Sequence, residues 1–190
     1  LQAELGASLP LGTGIVATQV EAKSTTSPYP YRPDPSDVQF SGKTLVDKTN
    51  SGISATSSHA TTVGKYFYGL ASSLAPGIVS IDCYEVNHFI GDGFLHHGRT
   101  TQPGYTLSAS DKSSPSRVAN HSWVGATASA ADDSAILRRL DYLVETDEFL
   151  QVVALNNGTT SRPLLGGSFN AIVVGRTDGN HPRGTVALDI

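Results

Sequence analysis

A chain of 190 residues, 38% hydrophobic and 16% charged, is long enough for one domain with one sizeable core and too apolar for a disordered segment. Its net charge of −4 gives no reason to expect a nucleic-acid partner, and no apolar run approaches the roughly 20 residues that cross a bilayer. The single cysteine excludes an internal disulfide.

In chain order, the first apolar run is IVATQVEA (15–22), which ends in Glu21. Residues 23–42 follow, with four prolines and many small polar residues, and read as a surface loop. KTLVD (43–47) is the second apolar run. Ser57 and Ser58 are cap residues for a helix starting near His59, and Val63, Phe67 and Leu70 at i, i+4 and i+7 predict its buried face. GIVSIDCYEV (77–86) is the third run, in which Cys83 reads as a buried structural thiol. A second irregular stretch covers 98–116, and RVANHSWVG (117–125) is the fourth run. Asp132 and Asp133 sit where a helix would start, beside its positive end. Ile136, Leu140, Leu143 and Val144 supply that helix with an apolar stripe. LQVVALNNG (150–158) and NAIVVGRTDG (170–179) complete the runs.

Several runs are continuously apolar, as in strands buried on both faces of a parallel sheet. Their alternation with helices predicts an α/β fold with a mostly parallel central sheet and right-handed crossovers, in one domain over 1–190. In such sheets functional groups gather at the carboxyl ends of strands. Glu21, His59 and Asn156 all fall at or just after such ends. A carboxylate, a histidine at a helix start and an amide donor can therefore meet at one edge.

In these segments the chain resembles the subtilisin-like serine peptidases (subtilases). GTGIVATQVEA (12–22) is similar to the strand that delivers the family's triad aspartate, with Glu21 at that position. SSHATTVGKYFYG (57–69) resembles the HGTHVAG motif and puts His59 on the triad histidine. LAPGIVSIDCYEV (74–86), RVANHSWVG and SFNAIVVGRTDG (168–179) resemble three further strands in the family's order. LQVVALNNG resembles VVVAAAGNEG and puts Asn156 on the oxyanion asparagine.

The resemblance implies the N-terminal part of a three-layer subtilisin-like fold and peptide-bond hydrolysis by acyl transfer. His59 would be the general base, Glu21 its orienting carboxylate, and Asn156 the oxyanion donor. Ser122, Trp123 and Val124 would pair with an extended substrate strand, and Val153, Ala154 and Leu155 would line the first specificity pocket. The family's GTSxA serine motif does not occur in the sequence. The nucleophile is therefore expected outside these residues, on a second polypeptide for preference, with the fold incomplete without it.

The sequence departs from the family pattern in its glutamate, in Ala60 and Thr62, and in Val124 and Leu155 where glycines are usual. The larger side chains at those last two positions predict a narrow first pocket. The implied partner is a peptide or protein substrate; the alternative function is a catalytically inactive peptide-binding module. No cofactor is implied. Calcium is common in the family, but no oxygen-rich loop supports it here, and His88, His96 and His97 lack metal-ligand spacing. The chain begins at Leu1 and has no methionine, so a removed leader or pro-segment is expected. Abundant Ser, Thr and Gly with few lysines is compatible with secretion. Gly12-Thr13-Gly14 precedes its strand and cannot cradle a phosphate at a helix start.

Overall fold

The computed structural model describes residues 4, 6–49, 51–92, 116–157 and 164–177. Six strands form one sheet in which every pairing is parallel. They are β1 (Val16–Glu21), β2 (Thr44–Asp47), β3 (Ser80–Glu85), β4 (Val118–His121), β5 (Leu150–Ala154) and β6 (Ile172–Val174). Helix α1 (Ser58–Tyr68) joins β2 to β3, and α2 (Ala130–Asp147) joins β4 to β5. The fold is α/β, as the alternation of runs predicts.

The spatial order is β2-β3-β1-β4-β5-β6. From β1 the chain first crosses to the edge strand β2, comes back to β3 beside β1, then passes across β1 and builds outward through β4, β5 and β6 on the other side. The reversal falls between β1 and β4, and the crevice beyond their carboxyl ends is where an open α/β sheet places its ligand. The register is continuous across this point: Val20 pairs with His121, which pairs with Val153, which pairs with Val173.

Each face of the sheet carries its own core. Ala17, Ile81 and Cys83 face α1, packing with Phe40 and Tyr68. Val20, Tyr84, Ala119 and Val153 face α2, packing with Phe89, Leu140, Leu143 and Phe149. Cys83 is buried in the first core as expected, and burial pushes its thiol far up, so it holds its proton and is chemically inert there.

These two cores overturn one expectation. Both helical connections advance one strand in the same direction along the sheet, β2 to β3 and β4 to β5. Their helices nevertheless lie on opposite faces. Crossovers of one hand and one direction put their helices on one face, so one of the two is left-handed. About 98% of such connections are right-handed.

The buried face of α1 also differs from the apolar period. Ala60, Thr61, Gly64 and Tyr68 are buried, while Val63 and Phe67 are only partly covered and Leu70 lies past the helix, exposed. Ser57 caps the helix as expected, its hydroxyl accepting from the Ala60 N–H at 3.2 Å. The second turn needs a glycine. A Cβ on Gly64 would lie 2.6 Å from the Tyr68 hydroxyl and 3.0 Å from Phe40. Gly64→Ala would gain about 1 kcal/mol of helix propensity but force that ring out of place. We expect a net loss of about 1–3 kcal/mol in urea unfolding, with an unchanged m-value.

In α2 the stripe is as predicted at Leu140 and Leu143, with Ile136 packed against the core. Ser129 caps it, accepting from the Asp132 N–H. All six runs are shorter as strands than as sequence patterns; near the site, β4 stops at His121 and β5 at Ala154. Of the 98–116 stretch only Ser116 lies within the described residues.

Candidate active site

Glu21 is the last residue of β1, and its side chain is only 2% exposed. Strand alternation puts Gln19 and Glu21 on the α1 face, at the level where that helix begins. His59, in the first turn of α1, meets Glu21 there: its Nδ1 lies 3.0 Å from Glu21 Oε2. With the carboxylate ionised, Nδ1 carries the proton and donates it. The imidazole is 65% exposed, so the pair joins a buried acid to an open base.

Two residues that sequence reasoning did not single out hold this pair. Gln19 Nε2 donates to Glu21 Oε1 at 2.8 Å and to the Ala60 carbonyl at 2.9 Å. The Tyr68 hydroxyl donates to Gln19 Oε1 at 2.6 Å. The chain Tyr68–Gln19–Glu21–His59 thus ties both ends of α1 to β1. A signal was available: Gln19 is a long polar residue inside an apolar run, two positions before Glu21 and so on its face.

Burial dominates the electrostatics of Glu21. It pushes the carboxyl up to about 7, against the pull of the Gln19 hydrogen bond and of His59. Glu21 therefore takes up a proton near neutrality.

The cleft beside the pair has a volume of about 490 Å³. One wall comes from Glu21 and the chain just after β1, a second from Ser57, Ser58 and His59, and the third from Ser122, Trp123 and Val124. The three residues expected to meet a substrate strand therefore do share a cleft with His59. They lie just beyond β4, and Ser122 is level with Glu21, because His121 pairs with Val20.

The residues expected around the first pocket are placed less uniformly. Val153 is 1% exposed and belongs to the α2-side core. That placement corrects its expected role, because strand alternation turns it away from the α1 side where the cleft lies. Ala154 is on the α1 side and half-buried. Leu155 is nearly buried, and its N–H donates to the Val174 carbonyl at 2.8 Å, extending the ladder. Asn156 is half-buried two residues past β5. It shares the carboxyl edge with Glu21 but stands two strands away, about 10 Å sideways. It is not among the residues lining the cleft with His59.

His88 stacks on Tyr84, while His96 and His97 lie outside the described residues. Among the described residues, no group of three or more His, Cys, Asp or Glu side chains is placed to hold a metal ion.

No protein-family model matches the chain, and no curated protein matches it either. Among solved structures it is similar to that of the prenylagaramide maturation protease PagA, with a TM-score of 0.55 and 16% identity. The likeness covers 90% of this chain and 57% of that one, so the chain spans little more than half the length of its structural neighbour. At this identity the likeness speaks for the fold.

Proposed function

We propose that these residues form the histidine- and carboxylate-bearing part of a subtilisin-like serine endopeptidase. The observation that carries this reading is the 3.0 Å contact between His59 Nδ1 and a buried Glu21 in the wall of an open cleft. A base whose second nitrogen faces a cleft, oriented through its first by a buried carboxylate, is the arrangement that activates a hydroxyl. The six segments in the family's order, and a structural neighbour that is itself a maturation protease, favour the same reading.

In this mechanism a serine outside residues 1–190 attacks the peptide carbonyl. His59 Nε2 takes the serine proton and returns it to the leaving amine. Glu21 keeps the Nδ1 proton in place and stabilises the imidazolium. Asn156 donates to the oxyanion, an interaction worth about 2.7–4 kcal/mol in such sites.

The uncovered part of the α1 face suits a missing partner segment. Asn120, Val152 and Ala154 are half-buried there, and Ile172 and Val174 are 51% and 50% exposed. Beside them the flank of α1 presents Val63, Tyr66 and Phe67. Covering such a surface is worth about 1.5–3 kcal/mol for each large side chain.

A fluorophosphonate probe tests the proposal. The active preparation should be labelled on a serine, with the adduct mapping outside residues 1–190. Labelling and peptide hydrolysis should both be lost when His59 is replaced. Peptide binding in the cleft with no labelling and no hydrolysis would instead favour a non-catalytic peptide-binding module.

A further inference from the structure

We propose that His121 and Gln151 are positioning residues: they lock the Trp123 indole in one orientation, so that the cleft presents a fixed aromatic wall selecting peptides with a large apolar side chain. The inference rests on reading the cleft as a peptide site.

His121 points into the α2-side core, the face opposite Glu21, and is 1% exposed. Its ring lies edge-on to Phe89 at 5.2 Å. An imidazole in such a place is costly unless both nitrogens are paired, and here both are. Trp123 Nε1 lies 3.1 Å from His121 Nδ1, and His121 Nε2 lies 2.8 Å from Gln151 Oε1.

The direction of each bond follows from the donors. An indole N–H can only donate, so Nδ1 accepts and the histidine proton sits on Nε2. Nε2 then donates to Gln151 Oε1. Gln151, fully buried, completes the chain by donating from Nε2 to the Phe149 carbonyl at 2.9 Å. Burial holds the imidazole down to about 4, so it stays neutral and keeps this pattern through the ordinary working range.

Three polar side chains therefore run from the backbone at the start of β5 to a residue on the cleft wall. The mechanism uses none of them. Their outer end is Trp123, which packs partly on the core and lines the cleft beside His59. With its N–H committed inward, the indole offers the cleft apolar ring surface. It is also the only tryptophan in the chain, so its fluorescence reports on this site alone.

The test uses blocked hexa-alanine and its six single-phenylalanine relatives, titrated into the full chain. Binding is read by calorimetry and by tryptophan emission. At least one phenylalanine peptide should bind about tenfold tighter than hexa-alanine and shift the emission to the blue. In Trp123→Ala that ratio should fall to about one. His121→Phe keeps the ring contact with Phe89 but accepts nothing from the indole. It should lose most of the ratio and broaden the emission.

His121→Gln, whose amide can accept from the indole and donate to Gln151, should restore the ratio. If His121→Phe does not fold, Gln151→Leu interrupts the same chain one step further in and should have the same effect. A ratio that survives Trp123→Ala or the broken chain would overturn the inference. So would a wild-type chain that does not prefer any phenylalanine peptide. The readout is binding to the chain, so a failed serine-labelling experiment leaves it standing or falling by itself.

Discussion

Replacing His59 with alanine is expected to lower turnover by on the order of 10⁶-fold in the preparation that hydrolyses peptides. The effect is large because the imidazole performs two proton transfers, taking one from the nucleophile and giving one to the leaving amine. It should fall almost wholly on kcat, since the walls of the cleft beyond His59 remain to bind the peptide. Stability should move little: the imidazole is 65% exposed, and the helix keeps its Ser57 cap. An unfolding free energy within about 0.5 kcal/mol of wild type, beside an abolished kcat, would separate chemistry from folding. Activity retained in His59→Ala would end the peptidase reading, because no other base contacts Glu21 among the described residues.

How far the sequence carried these conclusions differs from residue to residue. The strand ending in Glu21 was legible because a mostly apolar run that reaches a charge marks a buried strand arriving at an edge. The start of α1 was legible because serine caps are local chemistry. The buried face of that helix was not. Val63 and Phe67 keep the apolar period, yet the sheet selects Gly64 for close approach and Tyr68 for its hydroxyl, which reaches Gln19 across the core. A tertiary hydrogen bond of that kind has no signature at helical spacing.

Handedness was hidden for a related reason. Whether α1 lies above or below the sheet depends on which strand face carries Ala17 and which Val20, and the alternation alone is symmetric between them. Asn156 shows the limit most plainly. Its position at the carboxyl edge was readable, but how near it stands to His59 depends on β4 lying between β1 and β5, and strand order is not written in any one segment.

Glu21→Gln should show the second large effect, and with two opposite signs. The folded protein holds the Glu21 carboxyl at about 7, above its ordinary 4.5. Between those values the folded state keeps a proton that the unfolded chain has released. Stability from this group is therefore fully present below about pH 4.5, falls as pH rises, and is gone above about pH 7. A neutral amide has no such slope. Above pH 7 Glu21→Gln should be the more stable protein, by an amount on the order of 3 kcal/mol, and the advantage should vanish toward pH 4.

Activity should move the other way. Gln19 already donates an N–H toward position 21, so an amide there turns its oxygen to Gln19 and its NH₂ to His59. Nδ1 must then accept, the proton moves to Nε2, and the base is lost. A fall of about 10⁴-fold in kcat is expected from the wrong tautomer. In the wild type the same proton sets the acid limb. Below about pH 7 the Glu21 carboxyl is protonated and donates to His59 Nδ1, which puts the imidazole proton on Nε2, so Nε2 cannot accept and kcat/KM should climb with pH through that value. An acid limb fixed by an ordinary exposed carboxylate, well below pH 6, would separate Glu21 from the reaction.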